Sequence, residues 1–252
     1  MTTKKWSDVY QKEFNGTWYP AESIIKFSAR YLKRRVGIDK WNIKRNVSTV
    51  LDAGCGVGRH VVFFQEQGYE TYGIDLSSSA IEIGNEWLKS KHLKPALKVG
   101  DVINIPFKND CFDVVICHET LDHIHFEDAK RALNEIKRVC RPAGYIFVSL
   151  RSTEDSEFGR GEKVDKNTFI LQEGYEKGLI QHYFDWYELS TLVKGLKVFE
   201  VELQETKFPT VYGVDKAYLQ SSKGLKKYLD LTQQISMNLK YSRWNILIEN
   251  VR

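Results

Sequence analysis

A chain of 252 residues with 42% apolar content is long enough to bury a substantial core, as one large domain or two small ones. Its formal charge of +4 is modest, and its lysines and arginines are scattered, which disfavours a dedicated nucleic-acid binder without excluding one. The tightest basic cluster, Lys33-Arg34-Arg35, reads as a solvated helix end. Four cysteines (Cys55, Cys111, Cys117, Cys140) lie in or beside apolar runs without a CxxC pair, so free thiols in a reducing compartment are expected rather than disulfides or zinc. No signal-peptide pattern opens the sequence and no apolar run approaches the roughly 20 residues of a membrane span. A soluble cytoplasmic protein without a membrane partner is the expectation.

The first predicted element is helical. "PAESIIKFSARYLKRR" sets Ile24, Phe27, Tyr31 and Leu32 on one face, part of an N-terminal helical cap over residues 1–44 that is rich in aromatics (Trp6, Tyr10, Phe14, Trp18, Tyr19). "STVLDA" then reads as a buried strand, and "RHVVFFQEQG" as a helix closed by Gly68. "YETYGID" is the second strand of the core. Ser79 and Glu82 form a capping-box pattern for a helix running through Trp87 and Leu88.

"ALKVGD" and "CFDVVICH" are the next strands, the latter a continuous apolar run. The helix after it places Phe126, Ala129, Leu133, Ile136 and Val139 or Cys140 on one face, with acids at its start and Lys137 and Arg138 at its end. "RPAGY" reads as a turn into the strand "YIFVSL", and the polar segment 151–167 as a mobile lid. Asp185 and Glu188 cap a further helix. "VFEVELQET" alternates as a strand, and "WNILIENV" is the last one. Strands alternating with helices predict a mostly parallel sheet covered on both faces. The core is expected over 45–206 and 244–252 of a single domain, with 207–243 a helical insertion suited to a substrate cap.

The chemistry concentrates in "VLDAGCGVGRH". A glycine turn leaving the first strand of an alternating sheet is a nucleotide site by geometry, because ligands lie beyond the strands' carboxyl ends. A dinucleotide site would want G-x-G-x-x-G, but Arg59 holds the position of that third glycine. The pattern is instead D-x-G-x-G-x-G, from Asp52 through Gly54, Gly56 and Gly58. This opposes a nicotinamide-dependent oxidoreductase. Taken singly, Asp75 or Asp101 is also the kind of acid that caps a helix or closes a turn.

This segment resembles the first motif of class I S-adenosylmethionine-dependent methyltransferases. The resemblance continues over about 45–150, with "GIDLS", "GDVINIPF", "FDVVICHETLDHI" and "RVCRPAGYIFVS" matching the motifs that follow it. It implies a Rossmann-like α/β fold with a mostly parallel seven-stranded sheet, helices on both faces and helical caps. It also implies S-adenosyl-L-methionine as cofactor. In such a site the backbone around Gly54, Cys55 and Gly56 serves the amino acid end, supported by Asp52. Asp75 would accept from the ribose hydroxyls, Leu76 would pack on the adenine, and Asp101 with the N–H of Val102 would read the adenine edge. The carbonyl of His118 would face the ammonium. Arg30 and Tyr19 are candidates to reach the carboxylate from the N-terminal cap.

Methyl transfer is an in-line displacement in which the sulfonium already supplies the leaving group, so a base is needed only if the acceptor must shed a proton. The preferred base is His123, with Glu119 or His118 behind it; a histidine there could equally cap the next helix. His118, Glu119, Asp122, His123 and His125 include ligand types, but their spacing lacks a second ligand group, and no metal is expected. "CHET" replaces the Asn/Asp-Pro-Pro-aromatic signature of amine-methylating enzymes acting on bases, and no Pro-Cys setting for cytosine carbon methylation is present. The expected acceptor is a small molecule attacked at O or N. The alternatives are a protein or RNA acceptor, or a non-catalytic cofactor-binding partner protein; oligomeric state stays open.

Overall fold

The computed structural model describes residues 3–12, 18–174, 176–209 and 238–251. In chain order the elements are α1 (Thr3–Lys12), α2 (Glu22–Phe27) continuing into a wider π turn (Ser28–Leu32), β1 (Lys33–Arg35), β2 (Trp41–Ile43), β3 (Thr49–Ala53), α3 (Arg59–Glu66), β4 (Glu70–Asp75), α4 (Ser78–Ser90), β5 (Leu97–Val99), β6 (Phe112–His118), a 3-10 turn (Leu121–His123), α5 (Phe126–Val139), β7 (Cys140–Arg151), β8 (Glu162–Asp165), β9 (Thr168–Ile170), β10 (Ile180–His182), α6 (Trp186–Leu192), β11 (Lys197–Pro209) and β12 (Asn238–Glu249).

Seven of these strands form one sheet in the order β11-β12-β7-β6-β3-β4-β5, with β12 antiparallel to both neighbours and the rest parallel. The expected Rossmann-like architecture is therefore present. The chain builds outward from β3 to β5, then returns through β6 to the other side of β3. In open sheets of this kind ligands bind at such a reversal, here beyond the carboxyl ends of β3 and β6.

Both faces of the sheet are covered because its strands are apolar on both sides. Leu51, Val115, Ile146 and Ile248 pack with Ala129, Leu133 and Ile136 of α5 and with Leu189 and Leu192 of α6. Val50, Val114, Ile116 and Phe147 pack on the opposite face with Ile24 and Phe27 of α2 and Phe64 of α3. Each fully buried side chain of this size contributes about 1.5–3 kcal/mol relative to exposure.

Several local expectations change. The N-cap of α4 is Ser77, whose hydroxyl accepts from Ala80 N–H at 3.1 Å, so the cap sits two residues before Ser79. Lys33-Arg34-Arg35 is a strand paired antiparallel with Trp41–Ile43, not a helix end. The turn expected at 141–144 is an irregularity inside β7. The segment 151–167 is not a loose lid. Asp155 is buried and accepts from Ser242 N–H, and β8 joins β9 and β10 in a three-stranded antiparallel sheet. Of the helical insertion expected over 207–243, the two ends belong to the long β11–β12 hairpin, and 210–237 lies outside the described residues. The capping box of Asp185 and Glu188 forms as expected.

Candidate active site

The turn after β3 holds its shape through backbone conformations that side chains resist. Gly54 has φ +84° and Gly56 φ +53°. A Cβ on Gly54 would stand 2.1 Å from Thr120 Oγ1, and one on Gly56 would stand 2.6 Å from the Tyr10 hydroxyl. The N–H groups of Gly54 and Cys55 both donate to the Ile74 carbonyl, at 2.8 and 2.9 Å, binding the turn to the end of β4.

Asp75 ends β4 and faces this turn. Its Oδ2 accepts from Gly56 N–H and its Oδ1 from Ser77 N–H, both at 2.9 Å. One carboxylate thereby fixes the glycine turn and the start of α4 together, and each oxygen keeps a second lone pair for a further donor. Burial pushes its pKa up, against the lowering effect of those two backbone bonds. Leu76 beside it is half-buried. At the end of β5, Asp101 is also half-buried. Its Oδ1 accepts from Ile103 N–H at 3.0 Å, while Val102 is buried behind it.

At the end of β6, Thr120 lies where three carbonyls converge. Its Oγ1 is 3.3 Å from the carbonyl oxygens of Ala53 and Gly54 and 3.2 Å from that of His118. A hydroxyl donates one proton, so it satisfies only one of the three at a time. A group with three N–H donors fits this cradle, as does the chemistry of an amino acid ammonium. Asp52 lies beneath, fully buried, with neither carboxylate oxygen hydrogen-bonded. The nearest ring nitrogen is His60 Nδ1 at 3.3 Å, while His60 Nε2 accepts from Ala21 N–H, an arrangement that assigns the proton of a neutral imidazole to Nδ1.

The candidate bases separate clearly. Glu119 takes a left-handed φ of +56°, a strained conformation for a non-glycine residue. Its carboxylate meets Arg59 Nη2 at 2.9 Å, His118 Nδ1 at 3.5 Å and Arg243 Nη1 at 3.7 Å. Burial opposes ionisation there, but the guanidiniums of Arg243 and Arg59 prevail and hold the carboxyl well below its usual range. His118 is buried against Ser23 Oγ at 3.2 Å, and desolvation keeps it neutral.

His123 is placed differently. Its Nδ1 lies 3.1 Å from the Ile180 carbonyl, which only an Nδ1–H can satisfy, leaving an Nε2 lone pair. Trp6 packs edge-on against its ring at 4.9 Å between centroids. Asp122, next in the chain, is structural. Oδ1 accepts from Arg151 N–H at 2.6 Å and Oδ2 pairs with Arg243, tying β6 to β7 and β12.

One sequence candidate lies elsewhere. Arg30 pairs with Glu200 on β11 at 2.6 Å, with three strands between it and β3; Tyr19 is 80% exposed. The N-terminal cap reaches the crevice through α1 instead. Tyr10 overlies Gly56, Ser7 Oγ is 3.5 Å from Ser77 Oγ, and Trp6 covers His123. Trp6 and Tyr10 are four apart on a helix, a spacing that puts both on one face. Thr120, Arg59 and Arg243 were also missed; only the polar "HET" after an apolar strand hinted at the first. Among the described residues no His, Cys, Asp and Glu cluster has the makeup of a metal site.

Residues 51–148 match the family described as methyltransferase domain. This segment is a class I methyltransferase domain. Its family uses S-adenosylmethionine. Within curated proteins it is 33% identical over 102 residues to norajmaline N-methyltransferase of Rauvolfia serpentina, covering 39% of this chain and 34% of that one. It is 32% identical over 112 residues to the malonyl-[acyl-carrier protein] O-methyltransferase of Pectobacterium atrosepticum, covering 44% and 42%. The chain thus spans less than half the length of these two curated relatives. In fold, an S-adenosylmethionine-dependent methyltransferase of Methanosarcina mazei superposes with a TM-score of 0.62 at 18% identity, covering 82% of this chain and 94% of that one. The methyltransferase match ends at the close of β7, so β8–β10, α6 and the β11–β12 hairpin lie beyond it.

Proposed function

We propose that this chain transfers a methyl group from S-adenosylmethionine to an oxygen or nitrogen of a small-molecule acceptor by in-line displacement. The observation that carries the reading is the crevice at the β3–β6 reversal. There the Gly54–Gly56 turn, the three carbonyls around Thr120 and the Asp75 carboxylate stand beside an imidazole with a free nitrogen. When bound, the cofactor supplies an electrophilic methyl on a neutral leaving thioether.

The chain's own residues do the rest. The carbonyls of Ala53, Gly54 and His118 would hold the ammonium, Asp75 the ribose diol, and Asp101 with the Val102 N–H the adenine edge. His123 Nε2 would take the proton from the acceptor as its lone pair turns to the methyl. The Ile180 carbonyl fixes the tautomer that this requires. Glu119, paired with two arginines, is too weakly basic for the task and acts as a fixed charge at the cleft wall. Trp6 and Tyr10 of α1 would exclude water from above, which favours a compact acceptor over a polymer. Two relatives named for N- and O-methylation of small or carrier-bound groups support the same class.

Calorimetry with S-adenosylmethionine and NAD tests the cofactor; NAD binding without the sulfonium ligand ends the reading. Label transfer from methyl-labelled cofactor into cell extract, split by size, tests the acceptor. Label in the polymer fraction alone overturns the small-molecule assignment.

A further inference from the structure

We infer that the β1–β2 hairpin is a docking tip for an anionic lipid bilayer surface. Residues 33–45 carry six cations (Lys33, Arg34, Arg35, Lys40, Lys44, Arg45) against one acid, Asp39. Half of these cations are committed to the fold. Lys33 donates to the Gln67 carbonyl and lies over the rings of Trp41 and Tyr69 at 4.8 and 4.6 Å. Arg45 reaches the Ala143 carbonyl and lies over Tyr145 at 4.1 Å. Arg35 clamps the turn, its Nε donating to the carbonyls of Gly37 and Ile38 at 3.1 and 2.9 Å. Among the described residues Arg34, Lys40 and Lys44 are exposed and have no partner.

Between these free cations the tip exposes aliphatic surface. Ile38 is 83% and Ile43 66% exposed, with Val36 and Trp41 also open. The register Lys33↔Ile43 and Arg35↔Trp41 puts Trp41 and Ile43 on one face with Lys33 and Arg35. Apart from Asp39 in the tip itself, three carboxylates of the neighbouring core are paired. Glu66 pairs with Lys91 at 2.7 Å, Glu70 with Lys94 at 3.5 Å and Asp113 with Arg141 at 2.6 Å. An aliphatic tip with a tryptophan shoulder and three unpaired cations, with Arg34 on the opposite face of the hairpin from Trp41, matches the headgroup boundary, where apolar side chains enter and cations meet anionic lipid.

The tip is also held rigidly and away from the crevice. The N–H groups of Lys44 and Arg45 donate to the Leu32 carbonyl at 2.7 and 3.2 Å, and Lys33 anchors to the end of α3. It therefore sits at the amino ends of the parallel strands, opposite the glycine turn, so docking leaves the cleft open. A convex tip of two three-residue strands suits a bilayer better than a stable protein interface, which needs about 800 Å² per partner. Base stacking would have only Trp41 to use. Among the described residues no helix is long and apolar enough to cross a membrane, so this contact is peripheral.

The test is co-flotation of the full chain with phosphatidylcholine vesicles, with and without about one-third phosphatidylserine, between about 0.1 and 0.5 M salt. The expected result is at least tenfold more protein floating with phosphatidylserine, falling as salt rises. Two variants, Ile38→Asp and the triple charge reversal Arg34→Glu, Lys40→Glu, Lys44→Glu, should each lose at least tenfold while keeping wild-type circular dichroism and cofactor affinity. Should the triple variant misfold, Lys40→Glu alone at the exposed turn takes its place, with at least a twofold loss expected. No flotation of folded wild-type protein at low salt overturns the proposal. So does flotation indifferent to Ile38→Asp, or binding to duplex RNA that the charge variants abolish while vesicles stay unbound. Cofactor binding is read in the same samples, so failure of the docking tip is separable from failure of the catalytic reading.

Discussion

Replacing Gly54 by alanine tests the crevice at its narrowest point. The native φ of +84° costs an alanine about 1–2 kcal/mol. The added methyl also meets Thr120, with Oγ1 at 2.1 Å, Cγ2 at 2.3 Å and Cβ at 2.7 Å, none of which can be tolerated without movement. Overpacking of this kind costs about 1–3 kcal/mol, so the total is roughly 2–5 kcal/mol. At about 2–4 °C per kcal/mol for a chain of this size, the midpoint of thermal unfolding should fall by roughly 4–20 °C. Any outward shift of Thr120 also breaks the cradle of carbonyls, so S-adenosylmethionine affinity should drop at least tenfold in calorimetry. Adding Thr120→Gly removes the steric part and leaves the backbone part. The double variant should therefore show a favourable coupling of about 1–3 kcal/mol in a double-mutant cycle. Strict additivity of the two substitutions, or a Gly54→Ala protein that melts and binds like wild type, would refute the packing on which the site rests.

His123→Gln should leave cofactor affinity unchanged and lower the transfer rate by about 10²–10⁴-fold, as for loss of a general base; an equal loss of affinity would assign the residue to binding instead. Asp75→Asn should weaken cofactor binding at least tenfold by calorimetry and also lower the melting point, because its oxygens hold Gly56 and Ser77. Since burial raises the Asp75 pKa, wild-type cofactor affinity should start to fall at a higher pH than an ordinary carboxylate would set as the solution is acidified. His182 is buried with Thr168 Oγ1 2.8 Å from its Nδ1, and desolvation lowers its pKa from 6.5 to about 4. In that window the unfolded chain binds the extra proton and the folded one does not, so stability should decline as pH falls from about 6.5 toward 4, by on the order of 3 kcal/mol at most. Chemical denaturation of His182→Gln over the same range should show a flatter decline; an unchanged slope would place the titration elsewhere.

Sequence patterning captured the elements whose signals are local. β3, β6 and α5 carry either an apolar run or a long 3.6-residue stripe, and packing agrees with both. The small elements were invisible for a physical reason. β1, β2, β9 and β10 are three residues long and, unlike the equally short β5, pair antiparallel in small sheets outside the central one, where no strand–helix alternation announces them. The cap of α4 shows how tertiary context chooses among equal local options. Ser77, Ser78 and Ser79 are all competent N-caps, and the pattern with Glu82 favours Ser79. Asp75 decides the matter, because its Oδ1 captures Ser77 N–H and holds that residue extended at φ −81°, ψ 109°, so the helix can begin only after it.

The site divides in the same way. Asp52, Gly54, Gly56, Asp75 and Asp101, the proposed cofactor contacts, could be singled out in the sequence because they fall at the ends of three successive strands. Arg30 was misplaced because a side chain's reach says nothing of direction. The π turn at 28–32 carries it toward β11, where Glu200 supplies the nearest charge. Glu119 needed coordinates for a further reason. Its left-handed backbone sets the carboxylate against Arg59 and, from the far end of the chain, Arg243, which lowers its basicity. With that carboxylate held ionised by two guanidiniums, the base we propose is His123, oriented by its bond to the Ile180 carbonyl.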